Sequence, residues 1–467
     1  MVVGSGPNGL AAAIALARAG RTVRLLERNA ELGGSVRSSD LGFPGFVHDT
    51  CASVFPMAIA SPFLRSLQLE RHGLEWIHPP ACAAHPLDEG RAALLWRSLD
   101  ETAAGLGLDG EAWRNLVRPF AERAEDLFAD ILAPPHWPRH PALLLRFGLP
   151  GIQSAAGLAR RRFREPEARA LFAGLAAHAV QPLEKAGTAA FGLLFALLAP
   201  ACGWPIVRGG AQRLTEALAA EFVRLGGAVE TGREVADLGQ LPPARAVLLD
   251  VTPRQWAAMA GKRLPSRARA RLGAYRYGPA VYKIDWILSG PIPWSAPACA
   301  QAATVHVGGA LEEVAAAEAA VGRGQVPPRP FVLVVQPSLF DPARAPAGMH
   351  TAWGYCHVPL GSGADLTGAI ESQVERFAPG FRARIQGRHV FSPPTWEAHN
   401  PNCVGGDIMG GSMDLRQLLL RPRPQADPYA TELPGVYLCS ASTPPGGGVH
   451  GLGGWFAARA ALRRELR

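Results

Sequence analysis

Val2-Val3-Gly4-Ser5-Gly6-Pro7-Asn8-Gly9, at the start of the chain, decides the fold. Its glycines stand as G-x-G-x-x-G between a short apolar strand and an Ala/Leu-rich stretch that reaches Gly20. In that setting the spacing binds a dinucleotide. Gly4 permits the tight turn, Gly6 lets a pyrophosphate approach the backbone, and Gly9 lets the helix pack on the strand. Pro7 and Asn8 open the helix, whose free N–H groups and partial positive charge face the phosphates. A second β-like run over 22–26 ends at Glu27, 18 residues beyond Gly9. A carboxylate there accepts hydrogen bonds from a ribose diol and repels a 2′-phosphate, so the adenosine is that of FAD or NAD and not NADP. Arg28 follows, and then Gly33-Gly34-Ser35-Val36-Arg37.

This segment resembles the N-terminus of the FAD-dependent phytoene desaturase and amine oxidase superfamily, in which the Glu is followed by a Gly-Gly pair. The usual form continues Gly-Gly-Arg; here Ser35 holds that place and Arg37 comes two residues later. The departure points to the branch that includes the pyridine nucleotide-disulfide oxidoreductase domain 2 group. The resemblance implies an α/β fold, with a Rossmann-like FAD domain of the glutathione-reductase type interleaved with an α+β substrate part of mixed sheet and helices. It implies FAD held by Gly4, Gly6, Pro7, Asn8, Gly9, Glu27, Arg28, Gly33, Gly34, Ser35, Val36 and Arg37. By the same resemblance the Val235 backbone faces the adenine, and Ser440, Gly451 and Leu452 face the flavin pyrimidine and ribityl chain.

A chain of 467 residues suits two interleaved domains. FAD-binding parts are expected over 1–79, 203–260 and 429–467, a helical cap over 80–202, and a substrate domain with a mixed sheet over 261–428. The net charge of +8 would ordinarily raise nucleic acid. All basic residues except Lys185, Lys262 and Lys283 are Arg, however, and they spread over the whole chain, so no nucleic-acid partner is expected. The one basic cluster, Arg160-Arg161-Arg162 with Arg164, is followed by Glu165 and Glu167. It reads as a solvated helix face, with peripheral contact to acidic lipid headgroups as the alternative. Seven scattered cysteines without a C-x-x-C fit a reducing, cytoplasmic setting and no metal site. No basic region precedes 10–16, so that stretch is a helix of the fold and no signal peptide. Only three residues precede Gly4, a short first strand that leaves room for a natural start upstream.

Apolar spacing predicts helices over 99–105, 112–131, 141–147, 155–164 and 167–180. The run 186–199 is apolar almost throughout, but about 14 residues fall short of the roughly 20 that a bilayer needs. It reads as a buried helix roofing an apolar cavity. An amphipathic helix over 212–225 precedes strands at 228–230, from Glu234-Val235, and over 246–251, the last closed by the turn residues Asp250-Val251-Thr252-Pro253. Further strands are expected over 280–287, 331–336 and 350–357, and a helix over 365–377. At the end, a strand over 436–439, a Gly-rich loop over 446–454 and a helix over 456–466 again suit a backbone pressed against a ligand.

A disulfide reductase would carry a second dinucleotide fingerprint and a reactive cysteine pair; neither is present in the sequence. The expected function is that of an FAD-dependent oxidoreductase taking a hydride from an apolar small molecule. Carotenoid- or polyene-like desaturation is the leading form, with noncovalent FAD reoxidised by oxygen or a quinone. The alternatives are an amine oxidase, a redox-neutral flavin isomerase, or a regulatory protein that keeps its flavin as a structural element. Lys283 and Asp285 share one face of the 280–287 strand. A buried Lys is costly unless it is paired or used, so both are candidate catalytic residues beside the alternative of a structural pair. His48 joins them, because the resemblance carries the stretch around it past the flavin ring.

Overall fold

The computed structural model describes residues 1–466; Arg467, the last residue of the expected 429–467 segment, lies outside them. Two sheets organise the chain. The first has five parallel strands in the order Val436–Leu438, Val247–Leu249, Val2–Val3, Arg24–Leu26, Ala228–Glu230. Parallel pairing demands crossovers and covers both faces. Helix Pro7–Arg18 makes the first crossover and packs on helix Leu452–Arg464. The approach is so close that a Cβ added at Gly454 would lie 1.8 Å from the Asn8 carbonyl oxygen.

The second sheet has seven strands in the order Ile385–Phe391, Ala280–Leu288, His350–Val358, Val332–Val335, Ala302–Val307, Ala81–Pro86, Ala92–Trp96. Its pairs are antiparallel except that between Ala302–Val307 and Ala81–Pro86. The fold class read from the sequence is thus the one observed. Ala280–Leu288 is buried along both faces, Lys283 and Asp285 included. Its alternation of polar and apolar residues therefore marks an internal ion pair rather than a wet face.

Three local expectations fail. The stretch 80–202 contributes the strands Ala81–Pro86 and Ala92–Trp96 before its helices begin. Ala81-Cys82-Ala83-Ala84 has little intrinsic strand preference. Small side chains suit it because helix Pro166–Ala177 lies close above; a Cβ at Gly174 would come within 2.7 Å of His85 Nδ1 and 2.8 Å of His306 Nδ1. No strand forms at Glu234-Val235: the Arg233 N–H still donates to Glu27 O (2.8 Å), and the chain then leaves the sheet. The single helix expected over 112–131 is two, Gly110–Ala121 and Ala124–Ile131; Pro119 deprives the first of a backbone donor near its end. Helix Thr188–Cys202 forms as expected and sets Phe191, Leu194 and Phe195 into a cavity wall.

Candidate functional site

A cavity of about 580 Å³ opens between the two sheets. One end is walled by residues 4–8, 27–29 and 233–236, together with Gly34, Ser35, Arg37, Asp250 and Ser440. These come from the carboxyl ends of the parallel strands and the loops after them, where α/β sheets bind ligands. The other end is walled by His178, Phe191, Leu194, Phe195, Trp204, Leu333, Val335, Trp353 and Tyr355, from the helical segment and the mixed sheet.

The polar end is built to take an extended phosphate-bearing ligand. Gly4 has φ +95°, which only glycine adopts freely. A Cβ at Gly9 would sit 2.0 Å from Gly4 O, and one at Gly6 would sit 2.6 Å from Asp250 Oδ2. Gly9 thus packs helix on strand while Gly6 keeps the wall open. Glu27, almost fully buried, fastens this loop: its Oε2 accepts from Ser5 N (3.0 Å) and Ser5 Oγ (2.6 Å), and its Oε1 from Asn29 N (2.9 Å) and Nδ2 (3.0 Å). The carboxylate therefore shapes the cradle as well as lining it. The residues present fit FAD, with the pyrophosphate at the N-terminus of Pro7–Arg18 and the ribose at Glu27.

Asp250 is a member of this site that sequence reasoning took for a turn residue. Its Oδ2 accepts from the Gly9 N–H (3.0 Å), and its side chain lines the cavity. Burial, with a smaller push from Glu27, raises its carboxyl to about 7 against the Gly9 hydrogen bond. An acid raised in the fold destabilises the fold wherever the unfolded chain has already ionised. The cofactor-free protein should lose stability as pH rises from about 4 to about 7 and then level off. Asp250→Asn keeps an acceptor for Gly9 and cannot ionise, so melting curves at several pH values should show a flatter slope for it. Equal slopes for the two proteins would refute the assignment.

Gly4, Gly6, Pro7, Asn8, Glu27, Arg28, Gly34, Ser35, Arg37, Val235 and Ser440 all line the cavity. Gly9, Gly33, Val36, Gly451 and Leu452 do not; they support it from behind. The Gly33 N–H donates to Ser5 Oγ (3.1 Å), Val36 O accepts from Thr215 Oγ1 (2.6 Å), and Gly451 packs on Ala11. Leu452 is in the core, and at this end Gly447, Gly448 and Val449 form the wall. The expected catalytic group is also displaced. Lys283, Asp285 and His48 lie outside the lining, one layer behind Cys51, Trp353 and Tyr355. Lys283 Nζ donates to Asp285 Oδ2 (2.5 Å) and Asp49 O (3.1 Å), and His48 Nδ1 stands 3.5 Å from Asp285 Oδ1.

Residues 399–402 clip the mixed-sheet part onto the cradle. Arg37 donates to His399 Nε2 (2.6 Å) and to Gly34 O (3.1 Å). Burial and the neighbouring Arg37 push His399 down to about 4, so it is a neutral acceptor. Asn400 Nδ2 reaches Ser35 Oγ (3.2 Å), and Asn402 Nδ2 reaches Asp250 O (2.8 Å). At the apolar end, His178 Nε2 lies 3.1 Å from His306 Nε2, with the His178 ring stacked on Phe195. Burial, and beyond it His357, pushes His178 down to about 3. Only one nitrogen of His178 is thereby engaged, and Nδ1 is left for an occupant of the cavity. A lone His at the end of an alanine-rich helical stretch gave no signal in the sequence.

Comparison with known proteins agrees with this geometry. The chain is 25% identical to pyridine nucleotide-disulfide oxidoreductase domain-containing protein 2 of Mus musculus, over 99% of this chain and 93% of that protein. It is 30% identical to hydroxysqualene dehydroxylase of Rhodopseudomonas palustris, over 63% of this chain and 72% of that one. The crystal structure of an oxidoreductase from Methanosarcina mazei superposes with a TM-score of 0.66, at 16% identity and 99% coverage of both chains. Residues 8–256, more than half of the chain, match the model of the flavin containing amine oxidoreductases. With an FAD cradle to which this stretch contributes Asn8, Glu27, Gly34, Arg37, Val235 and Asp250, the chain belongs to the flavin-containing amine oxidoreductase family and is an FAD-dependent oxidoreductase.

Proposed function

We propose that this oxidoreductase oxidises a carbon–carbon bond of an apolar, polyene-like substrate. The observation that carries the reading is the division of the cavity wall. Its acidic side chains, Glu27, Glu234 and Asp250, all stand at the nucleotide end, while the substrate end is aromatic and aliphatic around His178. An ammonium substrate would enter without a carboxylate to meet it, and burying an unpaired charge is costly. The similarity to a protein named hydroxysqualene dehydroxylase supports the same substrate class. One feature favours the amine reading: Trp353 and Tyr355, ring centroids 5.9 Å apart and nearly parallel, form an aromatic pair on the wall.

When bound, FAD supplies the hydride acceptor, and oxygen or a quinone takes the electrons onward. The chain's own residues exclude water, hold the substrate against an apolar wall, and receive the proton released from the neighbouring carbon. His178 is the polar group at that end with a nitrogen left for the substrate. Burial makes it a weak base, but the carbon beside the site of hydride loss is acidic enough to give it the proton. His306, also held neutral by burial, orients the ring through the 3.1 Å contact. The flavin is held without a covalent bond. Burial pushes the wall thiol of Cys51 up to about 11 and that of Cys403 well above the ordinary thiol value, so neither is a thiolate nucleophile.

Anaerobic mixing of the holoenzyme with isoprenoid polyenes should bleach the flavin absorbance, while aliphatic amines should not. His178→Phe should slow that bleaching by about 10²-fold, the low end of acid–base contributions, with FAD content unchanged. Rapid bleaching by amines alone would overturn the reading.

A further inference from the structure

From residue 131 to residue 164 the chain has six arginines (139, 146, 160, 161, 162 and 164) and no Asp or Glu. The structure gathers an unusual apolar surface in the same segment. Helix Pro141–Gly151 buries Leu143 and Phe147 but leaves Leu145 64% and Leu149 62% exposed, and Ile152 just beyond it is 61% exposed. Spacings of four and three put these on one stripe of the helix. Trp137, ahead of the helix, is 90% exposed. The buried side of the same helix is set against helix Thr188–Cys202, where a Cβ at Gly151 would touch Ala190 Cβ at 3.3 Å. The next residue, Phe191, lines the cavity.

We infer that this face docks on the surface of an anionic phospholipid bilayer. A stripe of Leu and Ile with an outlying Trp matches the acyl–headgroup boundary. A cationic flank of exposed arginines, of which Arg160 meets Glu312 at 3.5 Å, matches phosphate headgroups. No helix among the described residues is long and apolar enough to cross a membrane, so the contact is made along the surface. Docking stands on the surface features alone. That it serves to hand an apolar substrate past Phe191 into the cavity rests on the function proposed above.

The test is co-sedimentation of the holoenzyme with vesicles of phosphatidylcholine, with and without phosphatidylglycerol, at low and high salt. The holoenzyme should bind the anionic vesicles, and salt should weaken binding. The triple variant L145S/L149S/I152S should bind on the order of tenfold more weakly. R160Q/R161Q/R162Q should lose at least about tenfold on anionic vesicles. Unchanged FAD content and melting temperature will show that the variants fold. Failure of the holoenzyme to bind, or binding of the two variants as tight as that of the unsubstituted holoenzyme, would overturn the inference. So would a holoenzyme dimer that the Leu/Ile variant converts to monomer, which would give the face to a second copy of the chain. None of these readings depends on turnover, so an error in the proposed substrate would leave them standing.

Discussion

Arg344→Met is expected to lower the stability of the holoenzyme by about 3–5 kcal/mol, the cost of removing one partner from a buried ion pair. Arg344 is fully buried and donates from Nη1 to Asp49 Oδ2 (2.6 Å), from Nε to Asp341 Oδ2 (3.1 Å) and from Nη2 to Val207 O (2.6 Å). It reaches out of the loop between two strands of the mixed sheet and holds the segment next to the cavity residues Cys51, Ala52 and Ser53. Methionine fills much of the volume but leaves two buried carboxylates without their cation. Burial alone would push the Asp49 carboxyl up. The charge of Arg344, the Ala211 N–H and Ser53 outweigh it and hold Asp49 below its ordinary value. For an acid depressed in the fold, the stabilisation is complete above its unfolded pKa and is lost as pH falls through the folded one. The substitution should therefore cost most near neutral pH and least in acid. Thermal release of flavin fluorescence, followed across pH, measures this. A variant that melts with the wild type at neutral pH would show that Arg344 contributes nothing.

What could be read from the sequence was whatever is local. The glycine spacing, the helix after it and Glu27 are fixed within one βαβ unit, and each has a one-residue reason. Lys283 and Asp285 were placed correctly with respect to each other, because period two is a property of the strand alone. Which of its neighbours would face the cavity is a property of the sheet stacking, which the strand alone does not contain, so the catalytic and the structural readings of the pair both stayed open. Asp250 and residues 399–402 act on partners far away in sequence, Gly9, Ser35 and Arg37, and no local spacing reveals such partners. The strand Ala81–Pro86 was hidden for a packing reason. Its alanines answer to the helix pressed on them, and that pressure is invisible in a propensity scale.

Lys283→Met is the second large effect expected, and it separates a structural from a chemical lysine. The ammonium is fully buried between Asp285 Oδ2 and Asp49 O, and it lies 5.0 Å from the Trp353 ring centroid and 5.6 Å from that of Phe391. Its partners are those of a cross-brace behind the wall, and Trp353 and Tyr355 stand between it and the cavity. Removing it leaves Asp285 buried with its Oδ1 also lacking a hydrogen bond, so the loss should again be about 3–5 kcal/mol. Adding Asp285→Leu should recover part of it, since replacing both members of a buried pair costs less than removing one. The rate of flavin reduction in the folded variant should stay near that of the wild type. A normal melting curve with reduction slowed by about 10²-fold would instead make Lys283 part of the chemistry. Lys283 and Arg344 also share a residue: one takes the Asp49 carbonyl, the other its carboxylate. The two losses should therefore not add, because Asp49, once released by either substitution, has less left to lose to the other.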